Sequence, residues 1–140
     1  MDPNLKRSII LEHYQNPKNK SLIDDENYVK INMNNESCID EIDLMVKTKN
    51  NIIEDIRFDG EACAICTSST SIMINTLIGK NIDEAKEICK NFENMINEQN
   101  YNEEILEEAI VYDDIYKQPS RKTCVTLFAR GIEKIVNNKD

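Results

Sequence analysis

Two cysteines three residues apart, Cys63 and Cys66 in the stretch FDGEACAICTSSTS, precede a run of helical pattern. A C-x-x-C can be a redox pair, half of a zinc site, or incidental to a helix. The choice depends on the remaining cysteines, Cys38, Cys89 and Cys124. Cys38 is followed two residues later by Asp40. Cys38, Cys63 and Cys124 all fall at the ends of expected elements, where a thiolate gains from free backbone N–H groups and, at a helix start, from the helix dipole. Three thiolates and one carboxylate complete a tetrahedral zinc site or a mostly thiolate iron–sulfur site. The same residues read equally as buried cysteines, which are common in cores. Spacing alone leaves that choice open, because the ligands come from three distant segments.

Composition narrows the classes. The chain has 140 residues, predicting one domain over 1–140, and a formal charge of −9. That charge argues against nucleic acid and anionic membranes, whose phosphates would be repelled. No run of 18 apolar residues is present. The opening MDPNLKRSII lacks the apolar core of a signal peptide. These features predict a cytoplasmic protein with reduced thiols, whose five cysteines serve as ligands, nucleophiles or core residues rather than disulfides.

The elements that would position the cysteines follow from periodicity. A helix is predicted from Leu5 to Gln15, with Asn4 as its N-cap, Leu5, Ile9 and Leu11 or Glu12 at roughly helical spacing, and Pro17 beyond its end. NYVKINMNN and EIDLMVKTK alternate apolar and polar residues as strands do, and KNN at 49–51 signals a tight turn. IIEDIRFDG then places Ile52, Ile56 and Phe58 on one face of a third strand. Helices are predicted from Ala64 to Ile78, closed by Gly79, and from Ile82 to Asn97, with Ile82, Ala85, Cys89, Phe92 and Ile96 on one stripe. Residues 102–116 are acidic and partly helical, and Pro119-Ser120 starts a last helix carrying Val125, Phe128, Ile132 and Ile135. Strands first and helices after give an α+β fold, a three-stranded antiparallel sheet packed against several helices.

Several ordered stretches carry a family resemblance. LEHYQNPKN, NNESCIDEI, FDGEACAICTSSTS, LIGKNIDEA and SRKTCVTL occur in that order. Together they resemble the iron–sulfur assembly family of IscU/NifU N-terminal-like proteins, and most closely its SufU branch. The resemblance covers nearly the whole chain, and the segment 98–118 is similar to an insertion typical of that branch. It implies a SufE/NifU-like fold and a metal site of Cys38, Asp40, Cys63 and Cys124. Thr123 stands where IscU-type members carry a histidine, and Arg121 matches a basic position near the site. SufU-like proteins hold zinc and accept persulfide sulfur from a pyridoxal-phosphate-dependent, SufS-like cysteine desulfurase. In that scheme the thiolate matching Cys38 is released from zinc to attack the persulfide. The family's C-G-D is Cys38-Ile39-Asp40 here, and its G-C is Ala62-Cys63. If either glycine has positive φ, its replacement is strained, and most at β-branched Ile39.

The resemblance therefore implies a zinc-containing acceptor of sulfur in iron–sulfur cluster assembly. One alternative is a scaffold carrying a transient [2Fe–2S] cluster on the same ligands. Another is a non-catalytic zinc-stabilised binding protein. Cys66 is expected to be a small packed neighbour of its ligand partner, the alternative being a spare sulfur-shuttling thiol. Cys89 is expected to fill core, and His13 to have a hydrogen-bonding or partner-facing role. Arg121 reads either as assistance to the site or as surface charge. Glu103, Glu104, Glu107 and Glu108 read as a solvated face.

Overall fold

The structure is a computed structural model and describes residues 1–35 and 39–137. Helix α1 spans Pro3–Gln15. Its N-cap is Asp2, not Asn4: the Asp2 carboxylate accepts the Asn4 N–H at 2.8 Å. Pro3 takes the first helical position, where its missing N–H costs nothing. The inward side also differs from expectation. Leu5 and Leu11 are about half exposed, while Ile9 and Ile10 pack on the core. His13 Nδ1 shares a 2.7 Å hydrogen bond with Ser71 Oγ, which also accepts the Lys18 N–H. The lone histidine thus has the expected hydrogen-bonding role.

Strands β1 (Val29–Asn34), β2 (Glu41–Lys49) and β3 (Ile52–Glu61) form an antiparallel sheet in sequence order. Asn50 and Asn51 both have positive φ, as the two-residue turn of a twisted hairpin requires. The expected inward face of β3 is corrected at one end. Lys47 pairs with Asp55 but Thr48 pairs with Ile53, so Glu54 is an extra residue in a bulge. Alternation flips across it, burying Ile53 and leaving Ile52 exposed.

Helices α2 (Ala64–Leu77), α3 (Ile82–Ile96), α4 (Lys122–Val125) and α5 (Leu127–Asn137) complete the core with the sheet. Gly79 follows α2 with φ 90°, and Asn81 and Glu84 form a reciprocal capping box at the start of α3. The expected stripe of α3 is buried, and Cys89 is core filling; burial pushes its thiol well up. The last helix is not continuous from Pro119. A 3₁₀ turn over Pro119–Arg121 leads into α4, and Thr126 interrupts before α5 while its hydroxyl donates to the Lys122 carbonyl at 2.8 Å. Residues Glu103–Tyr112 are 3₁₀ rather than α-helix, broken at Glu107, whose φ is 51°. Tyr112 ties that segment to α2 through a 2.5 Å hydrogen bond with Ser68. Among the described residues no helix is long and apolar enough to cross a membrane.

Gly60 is the glycine on which the sheet depends. Its φ is 138°, and a Cβ there would lie 2.1 Å from the Glu41 carbonyl oxygen, which is fixed by the strand ladder. Gly60→Ala must therefore part β2 from β3. Strain of this kind costs roughly 3 kcal/mol. The expected fall in Tm is about 10 °C. Thermal unfolding at the wild-type temperature would contradict the placement.

Candidate metal centre

Strand register brings the first two donors together. Glu41 pairs with Glu61 at the open end of the β2–β3 ladder, so Asp40 and Cys63 leave it side by side. The Cys63 N–H donates to Asp40 Oδ1 at 2.7 Å. Cys63 is the N-cap of α2, and its sulfur accepts the Cys66 N–H at 3.4 Å. Cys63 Sγ lies 3.8 Å from Asp40 Oδ2. The third donor, Cys124, arrives on α4. A donor oxygen of Asp40 and the sulfurs of Cys63 and Cys124 all lie within 4.8 Å of one another. Asp40 is 1% exposed and Cys124 2%, whereas Cys63 is only half-buried and opens the cluster to its surroundings.

This donor set fits zinc. Zn–S bonds near 2.3 Å and Zn–O bonds near 2.0 Å put tetrahedral donors about 3.5–3.8 Å apart. The 3.8 Å between Cys63 Sγ and Asp40 Oδ2 is close to that, and all three donors lie within 4.8 Å of one another. The electrostatics point the same way. Burial raises the pKa of the Cys124 thiol, and its contacts with Asp40 and Cys63 raise it further. A bound cation would oppose these effects by stabilising the deprotonated donors.

Of the residues expected at the site, the structure assembles Asp40, Cys63 and Cys124. Cys38 lies outside the described residues. Cys66 is fully buried and is not among the converging donors, as expected of a packed neighbour. Arg121 is exposed, in the 3₁₀ turn three residues before Cys124. Thr123 accepts the Asn35 amide at 3.0 Å. Ala62 has no positive φ, so its replacement of glycine is unstrained. Ile39 is 73% exposed, beside a surface groove of about 560 Å³ that Tyr14, Pro17, Ala62 and Thr67 also line. The sequence reading assigned no role to Asn35. It is buried, and its amide reaches both Thr123 and the Cys124 sulfur. Its signal in the sequence is its place in NNESCIDEI, one of the stretches that carry the family resemblance.

Comparison with known proteins places this geometry. Residues 5–125 match the family model described as the NifU-like N terminal domain. The chain is 35% identical over 137 residues to the zinc-dependent sulfurtransferase SufU of Bacillus subtilis, covering 97% of this chain and 92% of that one. It is 30% identical over 118 residues to the iron-sulfur cluster assembly scaffold protein IscU of Thermotoga maritima, covering 84% and 82% respectively. A crystal structure from Fervidobacterium islandicum, described as an iron-sulfur cluster assembly scaffold for the SUF system, is similar with a TM-score of 0.84. That structure is 34% identical, and the match covers 90% of this chain and 92% of that chain.

Proposed function

Since the chain belongs to the family of NifU-like N-terminal domains, we propose that it is a zinc-holding acceptor of persulfide sulfur in iron–sulfur cluster assembly. Its partner is a pyridoxal-phosphate-dependent cysteine desulfurase. The observation that carries the reading is the convergence of Asp40, Cys63 and Cys124 in a fold shared with a zinc-dependent sulfurtransferase. Reduced thiols are required, which suits a cytoplasmic setting.

Asp40, Cys63 and Cys124 would hold the ion together with Cys38. Bound there, zinc would keep its thiol ligands deprotonated at neutral pH. Asp40 fixes the Cys63 backbone through its other oxygen, so one carboxylate orients two ligand segments. The Cys38 thiolate attacks the outer sulfur of the partner's persulfide. A new S–S bond forms on Cys38, the partner's S–S bond breaks, and the partner's cysteine leaves as a thiolate. No external oxidant or reductant is needed. Arg121, an exposed cation three residues before Cys124, assists approach of the anionic persulfide.

The test is alanine production from cysteine by the cognate desulfurase, with and without this protein, alongside elemental analysis of protein purified without added metal. We expect a colourless protein with about one zinc per chain that stimulates the desulfurase. Brown protein with stoichiometric iron and sulfide would favour the cluster scaffold. Thr123 weighs against that reading: no imidazole stands there, and its hydroxyl already accepts the Asn35 amide. A zinc-loaded protein without stimulation would point to the non-catalytic alternative.

A further inference from the structure

The geometry points to Asn35 as a positioning residue that locks the Cys124 ligand to the loop carrying Asp40; this rests on the metal reading above. Asn35 follows β1 directly and contacts both segments. Its backbone N–H donates to the Asp40 carbonyl at 3.0 Å, tying the two ends of the 35–40 connection. Its side-chain Nδ2 donates to Thr123 Oγ1 at 3.0 Å. The same nitrogen lies 3.7 Å from Cys124 Sγ, in a buried contact between residues 89 apart in sequence.

An amide suits this place because one nitrogen carries two hydrogens and can serve two acceptors. Alanine offers neither hydrogen. Aspartate has the same shape but would set a third negative charge beside a sulfur already facing Asp40 and Cys63. Cys124 otherwise depends on α4, a helix of four residues, with a break at Thr126 immediately behind it. Asn35 therefore supplies the cross-link by which two ligand-bearing segments keep a fixed separation. Outer partners of this kind typically change metal affinity by about 10–100-fold when removed.

The experiment compares the full chain as wild type, Asn35→Ala, Asn35→Asp and the control Asn32→Ala. Asn32 also bridges these strands, to Glu41 and Asp43, but away from the sulfurs. Zinc affinity is measured by competition with a chromophoric chelator, and Tm on metal-free protein. In metal-free protein the rate of Cys124 alkylation by iodoacetamide is followed by peptide mass spectrometry. Asn35→Ala is expected to lower zinc affinity about 10–100-fold. Asn35→Asp loses the same two donor hydrogens but adds a negative charge that favours the cation, so its loss of affinity should be the smaller of the two. Cys124 should alkylate several-fold faster in Asn35→Ala, where the covering side chain is removed without added charge, and the control should match wild type in all readouts. Wild-type zinc affinity in both Asn35 variants, or an unchanged Cys124 alkylation rate in Asn35→Ala, overturns the proposal. Should the wild type take up no zinc, the metal reading fails and the alkylation rate decides on Asn35 by itself.

Discussion

Cys63→Ser is expected to strip the protein of its zinc, while Cys66→Ser keeps it. The two cysteines share a motif but not an environment. Cys63 caps α2, faces Asp40 at 3.8 Å and is open on one side. Cys66 is one turn further and fully buried. A serine hydroxyl at 63 stays protonated at neutral pH and is a poor ligand. A closed four-ligand zinc site is worth about 10–16 kcal/mol, so one ligand carries roughly 3–4 of that, or some hundredfold to thousandfold in affinity. At 66 the cost is of another kind. A buried hydroxyl in place of a thiol destabilises by about 1–3 kcal/mol unless it finds a partner, without touching the ion. Zinc content and metal-free Tm should therefore move in opposite variants. Equal zinc loss in both would make Cys66 a ligand, and loss in Cys66→Ser alone would reverse the assignment.

Cys38→Ala should abolish stimulation of the desulfurase while leaving the two proteins able to associate. The other ligands are poorly suited to leave the site. Cys124 is nearly sealed and its sulfur is held by the Asn35 amide. Cys63 is fixed at both its nitrogen and its sulfur by bonds to Asp40 and the α2 backbone. Asp40 is almost fully buried. The expected carrier of sulfur is therefore Cys38, with persulfide on it by mass spectrometry in the wild type. Arg121→Ala should weaken stimulation without removing it, since an exposed charge acts over distance and is screened by salt. Full stimulation by Cys38→Ala would sink this mechanism, as would persulfide found on Cys63 or Cys124 instead.

Local rules carried much of this structure in the sequence. β2 occupies the whole alternating run 41–49, because nothing interrupts its pattern. α2 ends where Gly79 supplies a positive φ. Cys63 and Cys124 stand out by their places at element ends and Asp40 by its spacing from Cys38, but only the family resemblance joins them into one donor set. The misses share a cause: each depends on a partner remote in sequence or on a backbone irregularity. The bulge at Glu54 reverses which isoleucine faces inward, and the pattern Ile52-Ile53 is compatible with either choice. Leu5 and Leu11 have helical spacing but face outward because Ile9 and Ile10 meet the core. Asp2 displaces Asn4 as cap since proline favours the first turn. The site role of Asn35 exists only through Thr123 and Cys124, which no local pattern links to it.

The spread of the donors along the chain also decides when in folding the site comes into being. Asp40 and Cys63 are 23 residues apart and meet as the β2–β3 hairpin zips from its Asn50-Asn51 turn. The Asn35–Cys124 contact spans 89 residues and must wait for the C-terminal helices to dock. Contacts that close such long loops form late, because the chain entropy is lost before the contact returns anything. A partly folded chain thus offers an ion an incomplete site that lacks Cys124. A domain whose ligands are neighbours in sequence can fold around its metal. Here Cys124 joins Asp40 and Cys63 only when the C-terminal helices dock, so the complete donor set waits on folding of the whole chain.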